Sequence, residues 1–521
     1  MPTVGLRTAL QVQHPWISKV GFNQRIMDLI REMVNVIEQD RPKTFNLLIP
    51  RDSKLKKLYK LVAAGGFLDD VSAARQLYQS DPGDKRFIML KGSLINKLSE
   101  LILATNHSEL NRRNYTRIKF QCERQMTIAR KLLYVNVYHN AERIASRVLK
   151  KARKYHLVEV ELECFLTLRK VNYLKGFTGE VEKHQQAVSE LIGQVRVLDV
   201  SKGLVQVVLS ETKFIRSQRR ELVTKCEKHM EALCAYHEQY ESPFLRLYFL
   251  RIALVAAHQR NDFEEWGRVL ELLKSHLREY AHLETEHVML EVNVSTLKYF
   301  IATARLTQAR PVLKKLLKST SFEAFNRFEV LVEEFQLLMH QGAYREALKL
   351  LETVHEEPRF QELDKMDRAA WAIRSAYLFV ISHMTGEPMK VPGFDFKKLH
   401  KFYHDCAPVS KDKTGYNLQF VVVRVILLRL KNTLEYDNEA NNLKVYYQRY
   451  IKGDALLRTR AFYQCFVHLV KERFEEKAFY RERDQLIKGL TDHNDHLEYN
   501  ELIRFELLTL LMEKLTRTRK E

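Results

Sequence analysis

Glycine and proline are scarce, 17 and 11 in 521 residues. Tight β-hairpins draw on Asn-Gly, Asp-Gly and Gly-Gly turns, so this shortage leaves little room for them. Abundant Leu, Lys, Glu and Arg instead favour helix nearly throughout. Cysteine is sparse too: Cys122, Cys164, Cys226, Cys234, Cys406 and Cys465 are scattered, with no Cys-x-x-Cys spacing. That argues for free, mostly buried thiols in a reducing cytoplasm. Long apolar runs are missing. Arg7, His14 and Lys19 interrupt residues 1–20, so no targeting segment is expected. Phe420 to Leu430 is broken by Arg424 and Arg429. It is too short to span a bilayer, so it is expected to be a buried helix, with no membrane insertion.

Catalytic motifs are missing as well. There is no Gly-x-x-x-x-Gly-Lys-[Ser/Thr], Gly-x-Gly-x-x-Gly, His-Glu-x-x-His or Gly-x-Ser-x-Gly. No phosphate-cradling loop, zinc-protease helix or nucleophile elbow is therefore expected. The chain reads as non-enzymatic, with no cofactor and no metal. His400 and His404 share a helix face beside Asp405 and Cys406, but a further zinc ligand is not evident, and a polar helix face explains them. His493 and His496 flank Asp492 and Asp495, where Asp495 reads as a helix cap. Tyr299/Phe300 and Tyr446/Tyr447/Tyr450 fit either a peptide groove or packing between helices. Glu333/Glu334 and Glu264/Glu265 read as solvated, because adjacent residues on a helix point in different directions.

What the chain does have is charge, unevenly placed. The formal net charge is +20. Residues 1–160 hold 29 Lys and Arg against 14 Asp and Glu; residues 161–521 hold 56 against 51. A basic face attracts phosphate, anionic lipid or acidic protein, although it also serves as a plain solvated surface.

The first segment, 1–52, holds an amphipathic helix from about Ser18 to Glu38, with Ile26, Leu29, Ile30 and Met33 in its stripe, followed by a linker. Residues 53–110 form a basic three-helix bundle. Ser53 caps its first helix and Asp69 or Asp70 its second. The third runs from Lys85 to about Ala104, with Phe87, Leu90, Leu94, Leu98 and Leu101 on one face. Lys54, Lys56, Lys57, Lys60, Lys85, Arg86, Lys91 and Lys97 lie on this bundle. Arg112, Arg113, Arg117 and Lys119 follow on the next helix. Together they are the candidate surface for an anionic partner. The second and third helices have a helix-turn-helix outline, which would place Lys85, Arg86 and Lys91 near a nucleic acid.

From about residue 111 helical hairpins recur. The clearest is Phe335 to Val354. Gly342 ends one helix, and Tyr344, Ala347, Leu348 and Leu351 form the apolar stripe of the next. Ala347 is small enough to let the two helices approach. Equivalent anchors at 141, 184, 226, 266, 309 and 347 recur about every 40 residues, as in an α-solenoid. Helical repeats thus occupy 111–384. A break at 385–415 carries Gly386, Pro388, Pro392, Gly393, Pro408 and Gly415. Helices resume over 416–521, the last from Glu498 to Leu515.

The pattern Gly-x-Tyr-x-x-Ala-x-x-x-Leu at Gly342 to Leu351 resembles the second half of a tetratricopeptide repeat. The longer spacing, and Phe335 where that family has glycine, mark an irregular version. The layout also resembles uncharacterised helical-repeat proteins of Bacteroidota. In these a Leu-x-x-Leu-Val, Asp-x-x-Ala-Ala-x-x-Leu-Tyr, Asp-Lys-Arg-Phe module precedes the repeats, here Leu58 to Val62, Asp70 to Tyr78 and Asp84 to Phe87. That resemblance implies a bacterial cytoplasmic protein and carries no activity. The expectation is an all-α, irregular helix-hairpin (tetratricopeptide-like) solenoid with a small N-terminal helical bundle. It would act as a scaffold for a protein or peptide. The alternative is a nucleic-acid-binding regulator that uses the basic bundle. The oligomeric state is not specified.

Overall fold

The computed structural model describes residues 19–39, 42, 44–50, 53–64, 69–105, 115–212, 219–318, 324–406, 415–433, 435–451, 457–491, 496–498 and 501–517. Among these, every regular element is helical. The chain divides into two compact units, residues 1–151 and 152–521.

The first unit contains α1 (Lys19–Gln39), α2 (Phe45–Leu48), α3 (Lys54–Ala63), α4 (Asp70–Tyr78), α5 (Lys85–Ala104), α6 (Tyr115–Tyr134) and most of α7 (Tyr138–Lys154). Side chains start α3, α4 and α5 by accepting from otherwise orphaned N–H groups. Ser53 accepts from the Lys56 N–H at 3.1 Å, Asp69 from Ser72 at 2.7 Å and Asp84 from Arg86 at 2.8 Å. Ile30, Val34 and Ile37 of α1 share one core with Leu58, Tyr59, Phe87, Leu94 and Leu98. The amphipathic helix of segment 1–52 is thus part of the bundle. Its apolar stripe covers the faces that α3 and α5 would otherwise leave wet.

The second unit continues with α8 (Val158–Lys175), α9 (Thr178–Ser210), α10 (Arg219–Gln239), α11 (Pro243–Arg260), α12 (Phe263–Glu279), α13 (Glu286–Ala302) and α14 (Leu306–Lys318). It then runs through α15 (Ala324–His340), α16 (Tyr344–Glu356), α17 (Lys365–Thr385), α18 (Leu399–Asp405) and α19 (Tyr416–Lys431). The last elements are α20 (Glu435–Tyr446), α21 (Leu457–Lys471), α22 (Glu476–Thr491), α23 (Phe505–Leu511) and α24 (Lys514–Arg517). Most of these helices pack on their neighbours in sequence, as in an α-solenoid, and α17 packs on α19 past the short α18. The cores are shared locally: α11, α12 and α13 around Trp266, then α13, α14 and α15 around Leu297 and Ala309.

The turns inside the hairpins have a common cause. Gly176, Asn261, Ala304, Gly342 and Gly386 all take positive φ, which reverses the chain directly after α8, α11, α13, α15 and α17. At Gly342, φ is +70 and a Cβ would meet nothing within 4 Å. The residue is there for its backbone conformation, not for close packing. Ala347 and Leu351 are fully buried on α16, where the sequence places them. Phe335 is buried too, edge-on to Trp371 at 6.4 Å.

α9 departs from the hairpin rule, with 33 residues in one helix. Its first half packs on α8, where His184 lies 5.4 Å from the Phe165 ring and 3.3 Å from the Asn172 amide. Val205 and Val208 near its end share a different core with Leu222 and Cys226 of α10 and Ile252 of α11. One continuous helix therefore serves two successive hairpins.

The C-terminal end corrects the sequence reading. Glu498 and the stretch from Glu501 to Arg504 are not helical, and helix begins only at Phe505. The cause is electrostatic: both carboxylates are drawn into the chain interior, as described below. Asp492, His493 and Asp495 lie outside the described residues. The α19 segment is a buried helix, and among the described residues no helix is long and apolar enough to cross a membrane.

Candidate functional site

The first helices of successive hairpins, α11, α13, α15, α17 and α19, line a cavity of about 290 Å³ in the second unit. Its polar walls include Asn261, Lys298, Glu333, Gln336, Arg374 and Gln419. Helical periodicity places them there. On α15, Val330 and Leu337 face the core shared with α14, and Phe335 and Met339 face that of α16 and α17. Glu333, Gln336 and His340 recur at three and four residues and form the strip left between those two apolar faces. On α13, Leu297 and Ile301 are core, and Lys298 projects beside them.

The Lys298 ammonium lies 3.4 Å from the Glu329 carboxylate and 3.7 Å from Glu333. Burial disfavours the lysine's charge, but Glu333 and Glu329 more than offset this and raise its pKa. Glu333 is only 6% exposed. Burial raises its carboxyl above the usual range, against the pull of Lys298. Its expected solvated position is thus corrected: α15 is packed on two sides, and Glu333 lies buried in the strip between them, facing the cavity. Arg374 lies 5.2 Å over the Trp371 ring. His340 is buried, and burial together with Arg504 depresses its pKa to about 3.

A strap from the C-terminal region borders this cavity through Leu497 and Glu498. The His496 ring rests on Phe263 at 4.4 Å, and Leu497 donates its N–H to the Ala302 carbonyl at 2.6 Å. The Gln336 amide donates to the Glu501 carbonyl at 3.3 Å. Below the strap, Glu498 accepts from the Arg458 N–H at 3.1 Å and the Thr459 N–H at 2.9 Å, capping α21 from a distance in sequence. Arg458 holds Glu501 through two bonds of 2.8 and 3.0 Å and reaches Glu506 at 2.9 Å. Burial pushes the Glu501 carboxyl up to about 6 despite that partner.

This arrangement offers hydrogen-bond donors and acceptors with both signs of charge. Burial pushes the Cys226 thiol up to about 11 and those of Cys406 and Cys465 to about 12, so they stay protonated. Cys406 faces the Ala369 carbonyl while His404 points to solvent, so the His400–Cys406 group does not converge. Among the described residues no cluster of His, Cys, Asp and Glu is arranged to hold a metal.

The basic residues singled out from the sequence are held in several ways, and Arg86 shares the Tyr78 ring with Lys54, 5.1 Å from its centroid. Lys54 sits 3.7 Å over the Tyr78 ring and Lys56 3.9 Å over Phe45. Arg86 pairs with Asp84, and Lys97 with Glu100. Lys91 is buried on Asp70 at 2.7 Å. Lys57, Lys60 and Lys85 are exposed. Arg117 and Lys119 are half-buried, with Lys119 3.9 Å from Glu123. Arg112 and Arg113 lie outside the described residues. Sequence reading missed Lys298, Arg374, Arg458, Glu498 and Glu501, which are charged residues on otherwise apolar helix faces or in a strap whose partners lie far off in sequence. Compared with known proteins, the chain matches no family model, and no curated protein or solved structure is significantly similar to it.

Proposed function

We propose that this protein is a non-enzymatic helical-repeat scaffold that takes an extended segment of a protein partner along the inner faces of the second unit's hairpins. The observation that supports this reading is the strap. His496 to Glu498 and Glu501 lie non-helical against the first helices of the hairpins, through a backbone bond to Ala302 and a side-chain bond from Gln336. These are the contacts by which a groove recognises an extended peptide. The cavity beside the strap is lined by Lys298, Glu333 and Arg374, which would present both signs of charge to such a segment. Kinship with tetratricopeptide repeats and with the Bacteroidota proteins, and a cytoplasmic location, belong to the same proposal. A nucleic-acid role for the basic bundle is the second reading. Exposed Lys57, Lys60 and Lys85 favour it, whereas Lys91 and Arg86 are engaged with Asp70 and Asp84.

Selection of a displayed random-peptide library on the full chain tests the leading reading. Enriched peptides are expected to bind the Lys298→Ala/Arg374→Ala variant at least ~10-fold more weakly, the cost of two lost charged hydrogen bonds. Peptides that bind this variant equally well, or no enrichment at all, would overturn the groove.

A further inference from the structure

Two hairpin tips differ from the others. The α6–α7 turn presents Tyr134, Val135 and Val137, which are 89, 60 and 37% exposed. The α8–α9 turn presents Tyr173, Leu174 and Phe177, all exposed. The turns after α11, α13 and α15 (Asn261-Asp262, Ala304-Arg305 and Gln341-Gly342) expose no large hydrophobic side chain. Apolar side chains held out at a turn contribute nothing to the core, so a contiguous group of them marks a contact surface.

The charge beside the first tip says what kind of contact. Tyr115 to Lys151 contains nine Lys and Arg against two Glu. On α7, Ala141, Ala145 and Val148 are buried, and Arg143, Arg147 and Lys150 recur on the opposite, exposed face. Lys131 is exposed one turn before Tyr134. Glu123 serves Lys119, and no ion pair joins Lys131, Arg143, Arg147 or Lys150 to a carboxylate among the described residues. The second tip has exposed Lys170 and Lys175 beside its aromatics.

We infer that the α6–α7 tip docks peripherally on an anionic lipid bilayer. Tyr134, Val135 and Val137 enter the interface, and Lys131 and Arg143 meet lipid phosphates behind them. A convex tip that is apolar at its end and cationic behind matches a surface that is anionic outside and apolar beneath. Tyrosine, with an apolar ring and a polar hydroxyl, suits that boundary. Nucleic acid fits less well, because the valines provide no face for base stacking. The inference uses residues separate from the peptide groove and stands or falls apart from it.

Co-sedimentation of the full chain with phosphatidylcholine vesicles, with and without phosphatidylserine, tests it. Binding to the anionic vesicles is expected, and binding to neutral vesicles is expected to be at least ~10-fold weaker, since each basic residue near the surface contributes about a factor of five. Tyr134→Ser/Val135→Ser is expected to weaken anionic binding ~10-fold through lost apolar burial. Lys131→Glu/Arg143→Glu is expected to weaken it at least as much. All four sites are exposed, so circular dichroism should show an unchanged fold. Absence of vesicle binding overturns the inference. So does vesicle binding that the serine variant leaves intact, which would be charge adsorption alone. Binding of a fluorescent single-stranded oligonucleotide without vesicle binding also overturns it, in favour of nucleic acid.

Discussion

Leu497 donates its backbone N–H to the carbonyl of Ala302, the last residue of α13, at 2.6 Å. The last four carbonyls of a helix have no partner within it, so the strap completes an end that α13 cannot complete itself. The same strap carries Glu498 and Glu501 into the interior, where they cap α21 and hold Arg458. Cavity border, helix cap and ion pair are thus one construction.

Removing one side of that ion pair is therefore expected to be costly. Glu501→Ala leaves Arg458 buried without the carboxylate that takes two of its hydrogen bonds, and the loss should be about 3–5 kcal/mol. Urea denaturation of the full chain measures it. Arg458→Met/Glu501→Leu should recover much of the loss, because no uncompensated charge remains.

Ala347→Trp is expected to destabilise by about 1–3 kcal/mol, through overpacking between α15 and α16. Ala347 is fully buried in the cluster that includes Phe335 and Leu351. Unchanged thermal stability would mean that the helices part freely at this point.

A proline at Arg196 tests the continuity of α9. Arg196 is exposed in mid-helix. Arg196→Pro removes a helical hydrogen bond and crowds the preceding turn, a cost of about 3 kcal/mol. If two separate helices met there, the substitution would be nearly neutral by calorimetry.

Acid should weaken the fold. Burial, aided by His156 and His276, holds His282 at about 4, and burial with Arg504 holds His340 at about 3. A histidine depressed below its ordinary 6.5 stabilises the fold fully above that pH. This stability is lost as pH falls from 6.5 through the folded values. At about 1.4 kcal/mol per pH unit, His282 accounts for on the order of 3 kcal/mol. Glu501, raised to about 6, acts in the opposite sense: its contribution is present below the ordinary carboxyl range and is lost as pH rises through 6. The melting temperature should nevertheless fall between pH 6.5 and 4, and His282→Phe should flatten that slope.

Thiol labelling gives a further test. Cys234 is exposed and the other five cysteines are buried. One thiol should react rapidly with an aromatic disulfide reagent in the native chain, and all six only in denaturant.

Much of the architecture follows from local sequence. Gly342 and Ala347 belong to a single hairpin, whose turn and stripe depend on backbone conformation and a period of 3.6 residues, both readable within twenty positions. Ser53 and Asp69 cap their helices for equally local reasons. The cavity follows from no such pattern. Lys298 looks like any surface lysine until α15 brings Glu329 and Glu333 opposite it. Glu333 reads as solvated until neighbours on both sides of α15 leave it facing inward. Glu498 and Glu501 have good helix propensity, yet they stay non-helical because Arg458, Thr459 and the α21 N-terminus bind their carboxylates more strongly than a helical turn would reward them. By itself, the sequence determined the helices, their turns and the faces they bury, since those depend on neighbours along the chain. The tertiary structure alone decided which charges meet, because burial and pairing depend on residues brought together from different hairpins.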